Sequence, residues 1–120
     1  NQKHVANSWK FKGVVTDVSI LDCNHMEFET GGELIKVSPE CIINTSCEHI
    51  TQEQYNTWLA NIPDDVYIVL QSNNFKDHKE HLNCMDDLAE FKRKSKLKVD
   101  LEEELELPKY KRFLICGRKR

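Results

Sequence analysis

Residues 41–70 read CIINTSCEHITQEQYNTWLANIPDDVYIVL, and within this stretch the hydrophobic pattern changes twice. The run Cys41-Ile42-Ile43 reads as a short strand. Thr51 and Gln54 then have the spacing of a capping box, with Ile50 and Tyr55 placed to staple across it. Tyr55, Trp58, Leu59 and Ile62 recur on one helical face, and Pro63 stops the helix. Asp64-Asp65 turns the chain into Val66-Tyr67-Ile68-Val69-Leu70, an unbroken apolar run that suits a central strand covered on both sides. Strand, helix and strand in succession predict a mixed fold.

Upstream, Gly31-Gly32 can form the two-residue turn of a hairpin over His25–Ser38. With Thr30 facing Glu33, Phe28 faces Ile35 and Met26 faces Val37 on one side, while Glu27 faces Lys36 on the other. One apolar side and one opposite-charge pair predict this register, with Phe28 and Ile35 buried. Before the hairpin, Trp9, Phe11 and Val15 share one alternation phase and Val14, Val18 and Ile20 the other, which predicts a long strand bent at Gly13.

Downstream, His78, His81, Leu82, Cys84, Met85, Leu88, Ala89 and Phe91 fall on one half of a helical wheel, predicting a second helix over about 75–95. Leu97, Val99 and Leu101 alternate as a strand, and Tyr110 through Cys116 supply the last one. The expected fold is α+β: a mainly antiparallel sheet or small partly closed barrel with two packed helices, at about 51–62 and 75–95. The opening strand, glycine hairpin and short strand resemble the small curved sheets of PH-like, Tudor-like and OB-type modules over about forty residues, without a diagnostic motif.

The 120 residues include 32 Leu, Ile, Val or Phe, enough for the core of one domain spanning 1–120. No run approaches the length of a membrane span and the start lacks a signal-peptide core, so no membrane partner is expected. The setting expected is intracellular, nuclear or cytoplasmic. Opening on Asn1 fits a segment cut from a larger protein. The net charge of −3 conceals an asymmetry: residues 1–91 sum to −9 and residues 92–120 to +6. The basic tail is itself blocked, with Asp100 to Glu106 set between Lys92–Lys98 and Lys109–Arg112, so it can neutralise itself.

The candidate chemistry is sparse. Cys23, Cys41, Cys47, Cys84 and Cys116 have no pairing rhythm and read as reduced thiols. Cys47 with His49, and His78, His81 and Cys84 at three-residue spacing, can assemble four soft ligands, but there is no CxxC pair. No metal and no cofactor are expected. GxSxG, P-loop and GxGxxG patterns are absent, and the residue order selects no nucleophile with its base, so no catalytic residue is assigned. The sequon at Asn44-Thr45-Ser46 matters only in a secreted protein. Lys109, Tyr110, Lys111 and Arg112, with Trp9, Lys10 and Lys12, interleave aromatics with cations in the manner of single-strand binding surfaces. The expected role is a non-enzymatic domain of a regulatory protein that binds another protein or peptide, self-association being possible. A nucleic-acid module using residues 92–120 is the alternative.

Overall fold

The structure, a computed structural model, describes residues 16–18 and 21–120, with the side chains of Phe28 and Thr30 left aside. The strand expected at Trp9 to Ile20, with its bend at Gly13, therefore lies outside the described residues except at 16–18, which are not strand; Val18 there packs against the core. Six strands and two helices follow: β1 (Met26–Thr30), β2 (Glu33–Val37), β3 (Cys41–Asn44), α1 (Gln52–Ala60), β4 (Tyr67–Asn73), α2 (Leu88–Ser95), β5 (Leu97–Glu106) and β6 (Lys111–Lys119). A 3₁₀ turn, Cys47–His49, precedes α1. The fold is α+β.

β3, β4, β6 and β5 form one sheet in that order, and β1 and β2 form a separate ribbon. The larger sheet is open, with β3 and β5 as edges, so the barrel alternative is corrected. Only β3 and β4 run parallel, joined by α1 as a crossover; the other pairs are antiparallel. α1 starts as its sequence dictates. The Thr51 hydroxyl accepts from the Gln54 amide and the Gln54 side chain accepts from the Thr51 amide, at 3.1 and 2.9 Å.

One face of the sheet carries the core. Ile68, Leu70, Phe113, Ile115 and Leu97 are buried with Tyr55, Trp58, Leu59 and Ile62 of the α1 region, Phe91 of α2 and Met85 just before it. The Phe91 and Phe113 rings lie 6.3 Å apart. β4 is central as expected but covered on one side only, because both helices use the same face: Ile68, Leu70 and Ser72 are buried while Tyr67, Val69 and Gln71 are half-buried.

The hairpin has the expected register, from Met26 opposite Val37 to Thr30 opposite Glu33. Gly31 and Gly32 have φ of 58° and 81°, as a two-residue turn requires. Its expected burial is corrected at Ile35, while the side chain of Phe28 lies outside the described residues. The ribbon stands apart from the main sheet, Ile35 is half-buried, and Leu34 and Val37 are exposed, because β3 pairs with β4.

The second helix is shorter than expected. Residues 74–87 are irregular and the helix begins after Asp87, whose side chain caps it by accepting from the Glu90 amide at 2.8 Å. Local bonds hold the preceding segment out of a helix: Phe75 N–H donates to the Asn73 side chain and Met85 N–H to the Asn73 carbonyl. Lys96, with φ 58°, ends α2.

Candidate functional site

Among the described residues, the sheet's second face carries no helix. A bulge between Val99 and Leu101 sets its composition. Alternation alone places Leu97, Val99 and Leu101 on one side. The extra residue, Asp100, turns Leu101 and Leu105 to the opposite side while Leu97 and Val99 stay with the core. Gly117 faces this bulge, and a Cβ there would overlap the Lys98 carbonyl.

The registers then align one apolar row across all four strands. Ile43 lies opposite Val69, Val69 opposite Cys116, and Cys116 opposite Leu101. Ile43 is 64% exposed and Leu101 49%, whereas Val69 between them is half-buried and Cys116 is buried. Beside the row on one side run Lys98, Arg118 and Tyr67; on the other, Glu103, Leu114 and Gln71. Arg118 lies over the Tyr67 ring, 5.1 Å from its centroid. Tyr67 donates its hydroxyl to Asp100 at 2.7 Å, a bond that raises the phenol to about 12. Where the row reaches β3 it meets a groove of about 550 Å³, whose lining includes Ile43, Ile42, Val18, Leu21, Met26 and Trp58.

The basic tail folds against acids. Lys92 pairs with Glu102 at 3.0 Å, Lys111 with Glu104 at 3.6 Å, Lys94 with Glu90 at 3.7 Å and Lys119 with Asp64 at 3.4 Å. Of the residues expected to bind, Tyr110 stacks on Phe75 at 5.0 Å and Arg112 donates to Gln71 at 3.2 Å. Lys109 is exposed at the β5–β6 connection. Trp9, Lys10 and Lys12 lie outside the described residues.

A third grouping joins the 3₁₀ turn to the irregular segment. His78 and His81 sit in that segment, contrary to the helix face expected for them, with rings stacked 4.6 Å apart; His49 meets the His81 ring edge-on at 4.9 Å. Glu48 is buried beside them, its Oε1 3.7 Å from His49 Nε2. The Glu48 carbonyl accepts from the amides of Leu82 and Asn83, at 2.7 and 3.1 Å, which holds the segment against the turn.

The five cysteines are free thiols. Burial, with the neighbouring Glu48 carboxylate, pushes the Cys47 thiol up to about 12. It stays protonated at neutral pH and faces the Asn44 carbonyl at 3.8 Å. Cys84 donates towards the Phe75 carbonyl at 3.3 Å. The thiols of Cys47 and Cys84 thus point to backbone oxygens, while His49, His78 and His81 come together.

Comparison with known proteins adds no relative: no family model, curated protein or solved structure matches the chain. Among the described residues, no helix is long and apolar enough to cross a membrane. Sequence reasoning missed two features. Glu48 gives no signal, since a carboxylate between a Cys and a His reads as surface. The outward turn of Leu101 was hidden by one bulge residue.

Proposed function

We propose that this domain is a non-enzymatic protein-interaction module that docks through the open face of its sheet, and that the occupant is a second copy of the chain. The carrying observation is the apolar row Ile43, Val69, Cys116 and Leu101, four strands wide and uncovered by either helix, with Ile43 and Leu101 exposed at its ends and half-buried Val69 and buried Cys116 between them. Exposed apolar side chains gathered on one open face and rimmed by charge mark an interface. A two-fold axis along the row stacks Leu101 on Leu101 and Ile43 on Ile43. It also brings Lys98 of each copy opposite Glu103 of the other, so the charged rows are self-complementary.

An intracellular setting, nuclear or cytoplasmic, and a larger regulatory parent belong to the same reading; the five free thiols support a reducing compartment. The nucleic-acid alternative has less support, because Lys92, Lys94, Lys111 and Lys119 each have a carboxylate partner.

Sedimentation equilibrium tests the reading. A dimer is expected, with Leu101→Lys and Ile43→Lys giving monomers of unchanged circular dichroism. A chain that stays monomeric up to about 1 mM, where association is weaker than about −4 kcal/mol, overturns the self-docking reading. So does a dimer that survives both substitutions.

A further inference from the structure

We propose that Glu48, His49 and His81 bind a divalent transition-metal ion, zinc in the first instance, which staples the 3₁₀ turn at 47–49 to the irregular segment 74–87. The assignment departs from the metal-free expectation drawn from sequence, and three independent observations carry it.

The first is proximity. One carboxylate oxygen of Glu48 and one ring nitrogen from each histidine all lie within 4.8 Å of one another. Tetrahedral zinc with bonds of about 2.0 to 2.1 Å sets its ligands roughly 3.3 Å apart. Glu48 Oε1 and His49 Nε2 are already at 3.7 Å, so small side-chain rotations complete the geometry.

The second is tautomer. His49 Nδ1 lies 3.2 Å from the Glu80 carbonyl and His81 Nδ1 lies 2.6 Å from the Phe75 carbonyl. A carbonyl only accepts, so each Nδ1 carries a proton, and in the neutral ring Nε2 is then the nitrogen with the free lone pair. A ring N–H donated to a backbone carbonyl is the arrangement that orients metal-binding histidines and raises their basicity. His78 differs: its Nδ1 accepts from the Glu80 amide at 3.1 Å, which places its proton on Nε2. It packs on His81 and is not a ligand.

The third is an unsatisfied charge. The Glu48 side chain is 7% exposed, and its Oε2 is buried without a hydrogen-bond partner. A buried carboxylate with an oxygen lacking a donor is costly, and a cation held by the same carboxylate offsets that cost. Two imidazoles and one carboxylate form a borderline donor set that suits zinc better than calcium or magnesium, which prefer oxygen alone. His49 is exposed, so the remaining coordination position opens to water.

The consequence is structural. Residues 74–87 contain no regular element, and the amides of Leu82 and Asn83 already bond to the Glu48 carbonyl. An ion fixes the side chains across the same seam, and its binding adds to the stability of the folded state.

The test is titration of the chelator-treated full chain with Zn²⁺ and, separately, Co²⁺, followed by calorimetry and visible absorption. One ion per chain, a higher melting temperature with zinc, and a cobalt spectrum without thiolate charge-transfer bands are expected. Glu48→Gln, His49→Gln and His81→Gln should each weaken zinc binding by about 100-fold or more, since even supporting groups are worth 10- to 100-fold. His78→Gln and the double variant Cys47→Ser/Cys84→Ser should retain it. Absence of a stoichiometric ion overturns the proposal, as does binding lost in the cysteine double variant but kept in the histidine variants. If Glu48→Gln fails to fold, the cobalt spectrum of the unsubstituted chain decides, because thiolate bands there would exclude this site.

Discussion

Tyr55 ties the two helices together. Its ring is buried, and its hydroxyl donates to the Ser95 carbonyl at the end of α2 at 2.6 Å. Burial raises this phenol well above its ordinary range. Tyr55→Phe keeps the ring but leaves a buried carbonyl without its donor, so a loss of about 1 to 3 kcal/mol is expected in urea unfolding; an unchanged midpoint would mean that the bond carries no weight. Tyr67 gives a pH prediction. Its hydrogen bond to Asp100 raises it to about 12, above the ordinary value of about 10. A raised folded value means that the contribution is complete below the unfolded value. It is lost as pH rises through the window from about 10 to 12, where the unfolded chain ionises first. In near-ultraviolet titration, Asp100→Ala should return one phenol towards its ordinary range, and an identical titration curve would refute the link.

Among the elements, the hairpin and α1 were legible because their signals are local. Gly31 and Gly32 supply the positive φ that the turn needs, and the Thr51–Gln54 box is closed by residues three apart. The burial of the hairpin was not legible, since it depends on which strand β3 chooses as partner. Half-buried Ile35 changed to Ala in the ribbon should therefore cost less than about 1 kcal/mol, whereas Ile115→Ala, fully buried in β6, should cost about 2 to 5; equal losses in thermal unfolding would contradict this division. Gly117→Ala should also destabilise, since the Lys98 backbone must move to admit a Cβ. The second helix is shorter than its wheel pattern because His78, His81 and Cys84, which fall on the apolar side of that wheel, are polar groups that hydrogen-bond outside a helix. The wheel pattern at 78–85 instead records contacts with Asn73, Phe75 and Glu48, made by an irregular segment.

Across the whole molecule, the opposed charge blocks of residues 92–120 meet as ion pairs, Lys92 with Glu102 and Lys111 with Glu104. Labelled single-stranded oligonucleotides should therefore bind only weakly at about 0.15 M salt, where charges are screened beyond about 8 Å. Sub-micromolar binding by fluorescence anisotropy, lost on changing Lys109, Lys111 and Arg112 to Glu, would put the nucleic-acid reading first. The sequence by itself determined the α+β class, the hairpin register, the first helix and the strand at Tyr67–Leu70, because capping, turn chemistry and hydrophobic period act over a few neighbours. Only the tertiary structure decided which face of the sheet stays open, that Leu101 joins Ile43 on it, and that Glu48 meets His49 and His81. Those outcomes depend on a single bulge residue and on chain segments more than thirty positions apart, whose pairing is set by how the core packs.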